Sequence, residues 1–291
     1  ATRNAAVAHA RDVVSLVQDR ESGAYRTIVD DVRNNGPGMV SAALAIETAV
    51  LDAHCREQKI ALAELFGGRP TRVETDITVS LVPPDEAEAA AARAADAGYE
   101  TIKVKTGDDV ADSIARVEAV RDGHPDCEIT VDANQGWNPS AAVQFCEAIE
   151  ERGIDLTLVE QPVPADDLEG LADIKRRVAP PVAADEAVFT PSDALRVVER
   201  DAADVINLKL GKSGPLAAAD IVAVADAANL DLMVGCMLES AVGIHTSAHV
   251  VSGTGAFSYV DLDGNLLLAE DVVDVSYGPT IEIGGPGHGI D

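Results

Sequence analysis

Residues 128–209 read EITVDANQGWNPSAAVQFCEAIEERGIDLTLVEQPVPADDLEGLADIKRRVAPPVAADEAVFTPSDALRVVERDAADVINLK. Four times in this stretch a short apolar run closes on a charged residue: Asp132 in V-D-A-N, Glu160 in V-E-Q-P, Asp185 in A-A-D-E and Lys209 in I-N-L-K. The intervals between them are 28, 25 and 24 residues. The segments 140–152, 168–178 and 191–200 in between are helix-patterned, with Pro139-Ser140 and Pro191-Ser192 as start signals. A parallel α/β barrel spends ~250 residues on eight strand–helix units, so each interval has the length of one unit.

Outward from this stretch the alternation continues. Strands are predicted at 74–81, 101–105, 128–132, 156–160, 182–185, 205–208, 232–235 and 257–260, with further helices at 84–97, 108–122 and 214–228. Eight strands in βα alternation specify a parallel barrel. A doubly wound sheet would carry a Gly-rich turn after its first strand, and none follows Leu81. The fold class expected is therefore α/β, a (β/α)7β TIM-type barrel, over residues 71–275. Residues 1–70, with their long helical pattern at 38–65, are expected to form the helical part of an α+β capping domain. That domain is expected to be incomplete, because the chain starts without Met inside a helical pattern and N-terminal strands are missing. Residues 276–291 are expected to return to the cap.

In such a barrel the three carboxylates and Lys209 stand on four consecutive strands at the C-terminal mouth, where barrel enzymes keep their sites. In so acidic a chain any one strand-end carboxylate is ordinarily a solvated loop residue, but three at barrel spacing form a set. Three carboxylates without His or Cys make a hard-oxygen site suited to Mg²⁺.

Lysine placement adds to this. The chain holds only six lysines, and four lie in T-I-K-V-K-T-G (101–107) and N-L-K-L-G-K-S-G (207–214). Lys103 and Lys105 are two apart on a strand, so both point the same way, into the barrel. Their strand lies across the barrel from that of Lys209. Lys105 and Lys209 would flank a substrate from opposite sides, with the metal between them. This is the arrangement for a two-base proton transfer through a metal-stabilised enediolate. Each lysine is expected to have its pKa lowered by the neighbouring cations, since a base must be a neutral amine.

Composition bounds the partners. There are 50 Asp and Glu against 22 Lys and Arg, a net charge of -28, and 47% of residues are hydrophobic. Such acidity disfavours nucleic acid and anionic membranes as partners and suits a high-salt, halophilic cytoplasm. Cys55, Cys127, Cys146 and Cys236 show no C-x-x-C spacing and read as reduced thiols of a cytoplasmic protein. No apolar run of ~18 residues and no signal peptide occur. His245 and His249, four apart on a helix, lack the E-x-x-H context of a metal pair and read as packing residues. The loop G-G-P-G-H-G (284–289) lacks the flanking strand and helix of a phosphate loop.

The ordered set K-V-K, V-D-A-N, V-E-Q-P, A-D-E and N-L-K resembles the enolase superfamily, muconate-lactonising subgroup, over residues 38–291. The resemblance implies that Asp132, Glu160 and Asp185 bind Mg²⁺ and that Lys105 and Lys209 form the acid/base pair. It also implies that Lys103 helps to hold the enolate and that Asn134 and Glu186 neighbour the site. Within the subgroup Y-V-D-L-D-G (259–264) resembles the D-x-D of dipeptide epimerases. By that resemblance Asp261 and Asp263 take a substrate α-ammonium, and Glu239 in V-G-C-M-L-E-S (234–240) is a further candidate. The expected activity is Mg²⁺-dependent epimerisation of dipeptides. Muconate-type cycloisomerase, o-succinylbenzoate synthase and N-acylamino acid racemase are the alternatives on the same scaffold. A small-molecule carboxylate is the expected partner, and a homo-oligomer the expected assembly.

Overall fold

The computed structural model describes residues 2–36, 38–273, 275 and 278–290. Four helices come first: α1 (Arg3–Val13), α2 (Tyr25–Asn35), α3 (Val40–Gln58) and the single turn α4 (Leu62–Leu65). There follow β1 (Val73–Glu74), β2 (Ile77–Val79), α5 (Pro84–Ala97), β3 (Thr101–Lys105), α6 (Val110–Gly123), β4 (Glu128–Asp132) and α7 (Pro139–Glu151). Next are β5 (Leu158–Glu160), α8 (Leu168–Lys175), β6 (Val182–Ala184), α9 (Pro191–Glu199) and β7 (Val205–Lys209). The chain ends with the turn α10 (Leu210–Ser213), α11 (Pro215–Ala228), β8 (Asp231–Gly235), α12 (Ala241–Thr254), β9 (Tyr259–Val260) and β10 (Thr280–Ile281).

Strands β2 to β9 form one parallel sheet in sequence order, the order a barrel requires. Its ends meet where the Asp76 N–H donates to the Val260 carbonyl at 3.1 Å. Both faces of each strand are covered, as parallel sheets demand. Outward positions such as Ile102, Val104, Ile129, Val131, Val159 and Ile206 are fully buried under the helices. Proline at the first helical turn starts α5, α7, α9 and α11, where its missing N–H costs nothing. Left-handed C-caps at Gly98 and Asn229 end α5 and α11. The lower barrel is plugged by Leu158, Ala183, Val205 and Met233, with Tyr259 packed against them.

Register sets the site. Lys105 pairs with Asp132, and Asp132 with Glu160, at one level across three strands. Lys103 lies one level down, opposite Thr130 and then Leu158. Two loops at the mouth are locked backbone to backbone. Gly107, at φ +92°, lies where a Cβ would collide with the Ala133 carbonyl, and Gly136 where one would collide with the Gly107 carbonyl.

The predicted strand 74–81 is two elements. β1 leaves the barrel to pair antiparallel with β10, Val73 opposite Ile281, and only β2 enters the parallel sheet. A kink at Thr75 and Asp76 separates them, with Thr75 N–H bonded to the Pro279 carbonyl. The C-terminal segment also reaches the first helices, where Leu62 N–H donates to Gly287 O and Gly287 N–H to Ile60 O. Glu47 of α3 accepts from Leu216 N–H and from Arg33, tying those helices to the barrel after β7. None of the helices among the described residues is long and apolar enough to cross a membrane, and the four cysteines are free thiols.

Candidate active site

Alternation along β3 turns both of its lysines inward. The Lys103 ammonium is fully buried and lies 2.6 Å from Asp261 Oδ2, 2.7 Å from Glu160 Oε2 and 3.1 Å from Asp132 Oδ2. Burial works against its charge, but Asp261, Glu160 and Asp132 outweigh this and hold it well above the usual lysine range. Lys105, one level higher and 28% exposed, donates to Asp132 Oδ2 at 2.8 Å and to Asn134 Oδ1 at 3.0 Å.

Across the barrel, Lys209 ends β7. Its Nζ lies 2.7 Å from Asp185 Oδ2 and 3.8 Å from Glu160 Oε1. Here the sequence expectation is corrected: the Lys209 pKa is not lowered. Burial alone would lower it, but the carboxylates of Glu160 and Asp185 raise it above the usual range. Lys103, outside that acid/base pair, is likewise held up by its carboxylate neighbours. Lys212, in contrast, has its pKa lowered, because burial dominates.

The three strand-end carboxylates are 0%, 1% and 2% exposed at Asp132, Glu160 and Asp185. Burial raises the Asp132 pKa, but Lys103 and Lys105 more than reverse that. Burial, then the charge of Asp132, pushes Glu160 up to about 8 despite Lys103. Asp185 is held well below the usual range, since Lys212 and Lys209 overcome its burial.

The donor set fits a divalent cation of the Mg²⁺ kind. It is all oxygen, and its charge is unbalanced: the carboxylates of Asp76, Asp132, Glu160, Asp185, Asp261 and Asp263 face the ammoniums of Lys103, Lys105, Lys209 and Lys212. Carboxyl groups outnumber ammoniums in this layer, and Glu160 is pushed up first by burial and second by the charge of Asp132. Among the described residues, the metal-capable atoms gathered within 4.8 Å of one another are those of Cys236, Asp261 and Asp263. The oxygens of Asp132, Glu160 and Asp185 stand further apart, with the Lys103 and Lys209 ammoniums between them.

Asp261 and Asp263, just past β9, are 4% and 7% exposed. Asp261 is paired with Lys103, and Asp263 Oδ2 accepts from Thr78 N–H at 2.7 Å. Asn134, at φ +41°, donates its amide to Glu186 Oε1 at 3.2 Å while accepting from Lys105. Glu239 accepts from Met237 N–H at 3.0 Å; burial raises its pKa, with Lys209 near enough to oppose this. All eleven residues singled out in the sequence thus lie at or just below one mouth.

Four participants were not singled out. Lys212 donates to Asp185 Oδ1 and Asp185 O, both at 2.6 Å, and to Asn207 O at 3.0 Å. Its signal was membership of the second lysine cluster. Asn207, two residues before Lys209 and so on the same strand face, donates to Glu160 Oε1 at 2.5 Å. Gln161 accepts from Asp185 N–H and Ala187 N–H and braces the loop after β6. Asp76 is buried at the kink, and its pKa is raised well above the usual range by burial first and Asp261 second.

Comparison with known proteins agrees with this architecture. Residues 85–291 match the enolase C-terminal domain-like family. The chain is 38% identical over 273 residues to the L-Ala-D/L-Glu epimerase of Bacillus subtilis, covering 91% of this chain and 75% of that protein. A substrate-liganded complex of the Bacillus subtilis L-Ala-D/L-Glu epimerase matches with a TM-score of 0.95 at 34% identity, covering 100% of this chain and 83% of the other. The Enterococcus faecalis dipeptide epimerase complexed with Mg and L-Leu-L-Tyr matches with a TM-score of 0.94 at 30% identity, covering 100% and 84%. A barrel with three carboxylates and two facing lysines, matched over most of its length, therefore belongs to the enolase C-terminal domain-like family.

Proposed function

We propose that this chain is a Mg²⁺-dependent dipeptide epimerase, an isomerase that inverts the α-carbon beside the terminal carboxylate. The observation that carries the reading is the placement of Lys105 and Lys209. They end strands on opposite sides of the barrel and reach the carboxylate cluster from either side. Muconate and succinylbenzoate carry no ammonium group, so the buried Asp261 and Asp263 favour a dipeptide over those substrates.

Asp132, Glu160 and Asp185 would hold Mg²⁺, with Asn207 fixing the Glu160 carboxylate. The bound ion would neutralise the substrate carboxylate and stabilise the negative charge that develops when the α-proton leaves. Asp261 and Asp263 would orient the substrate by its ammonium group. One of Lys105 and Lys209, as neutral amine, would take the α-proton from its face, and the other, as ammonium, would deliver a proton to the opposite face. Each must exchange its present carboxylate partner for the substrate to do so. Lys103 would stay charged beneath the site, and Asn134, Glu186 and Glu239 would border it.

The proposal extends to organisation and setting. Residues 1–70 are assigned to a capping domain, 71–275 to the barrel and 276–291 to a segment returning to the cap; the bonds of Gly287 to Ile60 and Leu62 support this division. A halophilic cytoplasmic setting is proposed on the acidic composition and the free thiols, and a homo-oligomer is proposed as the assembly without a contact in this structure to carry it.

The test is α-proton exchange in D₂O with Mg²⁺ over a panel of L-Ala-L-Xaa dipeptides, read by mass spectrometry. Deuterium uptake with inversion at the C-terminal residue is expected. A Mg²⁺-binding protein that exchanges no dipeptide would sink the reading and leave a cycloisomerase or synthase.

A further inference from the structure

We propose that the lower half of the barrel binds a monovalent alkali cation between Asp76 and Thr130, beneath the ionic layer of the mouth. Alternation along the strands builds the place for it. Thr101 precedes Lys103 by two residues on β3, and Thr130 precedes Asp132 by two on β4, so both hydroxyls share the inward face of those side chains. In the register Thr130 stands beside Lys103, and Thr101 beside Glu128 one level further down. The apolar plug of Leu158, Ala183, Val205 and Met233 comes from β5 to β8. On the remaining side lies a cavity of about 250 Å³ that reaches from Asp76 and Thr130 down to Thr101, Glu128 and Tyr259. Those last three begin β3, β4 and β9, so the cavity lies at the end of the barrel opposite the mouth.

Two buried groups point to the ligand. Asp76 is 4% exposed and Thr130 3%, and both line the cavity. Asp76 Oδ1 and Thr130 Oγ1 find no hydrogen-bond partner among the described residues. A carboxylate oxygen withdrawn from water without a partner is costly, and a cation beside it offsets that cost. Lys103 is the nearest ammonium in the layer above, but its three close contacts go to Asp261, Glu160 and Asp132.

The donors define the class of ion. Carboxylate and hydroxyl oxygens suit a hard cation. One buried carboxylate balances one positive charge. Among the described residues Asp76 does not belong to a converging group of metal-capable side chains, which is what a divalent ion takes. Glu74, Glu100 and Glu128, exposed at the lower rim of the cavity, draw cations towards its entrance. Asp132, Glu160 and Asp185 do not line the cavity, so this site is distinct from the Mg²⁺ ligands proposed above and stands apart from the activity.

The test uses the full chain without Mg²⁺. Its thermal midpoint is read at one ionic strength in KCl, in NaCl and in the chloride of N-methyl-D-glucamine, a bulky organic cation. At least one alkali salt is expected to raise the midpoint by about 2–4 °C over the organic cation. Asp76→Asn and Thr130→Val should each shrink that increment, and Thr130→Val carries the comparison if Asp76→Asn does not fold. Equal midpoints in the three salts, or a wild-type increment in the variants that fold, would overturn the inference. As a second measurement, crystals soaked in thallium(I) acetate are read by anomalous scattering, and a peak between Asp76 and Thr130 is expected. Thallium found only at the Mg²⁺ ligands or on the surface, with water alone in the cavity, would overturn it as well.

Discussion

Replacing Lys209 with Met keeps the unbranched stem and removes the ammonium, so it separates the chemistry from the packing. In the folded protein Lys209 contacts Asp185 at 2.7 Å and Glu160 at 3.8 Å. Both acids keep another partner when it goes. Asp185 retains Lys212 at 2.6 Å, and Glu160 retains Lys103 at 2.7 Å and the amide of Asn207. The stability cost should therefore stay at about 1–3 kcal/mol, the range for losing one charge-assisted bond rather than for stranding a buried charge. Turnover should fall by about 10²–10⁴, the usual contribution of a general acid/base, or about 3–5 kcal/mol in barrier. The two-base arrangement also makes a directional claim. With Lys105 intact, one epimer of the substrate should still exchange its α-proton with D₂O and the other should not. Lys105→Met should show the reverse selectivity. Both variants should bind Mg²⁺, and exchange should be followed separately from the L,L and L,D epimers by mass spectrometry. If Lys209→Met exchanges both epimers at the wild-type rate, Lys209 is not a base. If either variant loses exchange from both epimers equally, the two lysines do not serve separate faces.

Lys103→Met should be the more damaging to the fold, because three buried carboxylates share that ammonium; a loss of about 3–5 kcal/mol is expected, read as a lowered thermal midpoint without Mg²⁺, and an unchanged midpoint would refute the ionic layer. Glu160, pushed from its usual 4.5 to about 8, holds a proton in the folded chain that the unfolded chain has released. Metal-free stability should therefore decline as pH rises from about 4.5 to 8, while Mg²⁺ affinity climbs over the same interval; calorimetric titrations giving one affinity at pH 6 and pH 8.5 would contradict this. His249 behaves oppositely: burial pushes it from 6.5 to about 4, so the fold keeps it neutral while the unfolded chain takes up a proton. Its contribution, about 3 kcal/mol at most, is present above pH 6.5 and lost as pH falls towards 4. The stability gap between wild type and His249→Gln, whose amide oxygen can still accept from Ala63 N–H, should narrow over that fall, and a constant gap would count against it.

How much of this was legible in the sequence depends on which physical constraint each residue obeys. Asp132, Glu160, Asp185 and Lys209 were legible because barrel strands repeat at a nearly fixed interval and each residue terminates an apolar run. Lys103 and Lys105 were legible because a strand turns alternate residues to one face, and their depth difference follows from the same register. The split at Thr75 and Asp76 was not legible. Residues 74–81 are uniformly strand-like, and what divides them is β10, some two hundred residues away, which claims Val73 and Glu74 as partners. Local pattern carries no record of so distant a competitor. The histidine pair was read as packing, and the structure gives His249 that work: its Nδ1 accepts from Ala63 N–H and joins α12 to α4.

The charge states are the deepest of the features that spacing hides. The sequence places several cations near one another and so suggests lowered lysine pKa values. Within the folded barrel the deciding quantity is the balance over the whole buried layer, and there carboxylates outnumber ammoniums. Lys209 is consequently driven up rather than down, and Glu160 is driven up beside it. Asp76 and Lys212 enter that balance and Asn207 hydrogen-bonds within it, each through a contact that no motif announces: the end of a strand that leaves the barrel, an alternate position on β7, and a side chain turned back onto the Asp185 carbonyl. A buried layer richer in carboxyl groups than in ammoniums offers the all-oxygen ligand set that a divalent cation of the Mg²⁺ kind takes. The Lys103 and Lys209 ammoniums lie between the carboxylates of this layer, and under the proposed mechanism Lys103 would stay charged there while Lys209 would exchange its carboxylate contact for substrate.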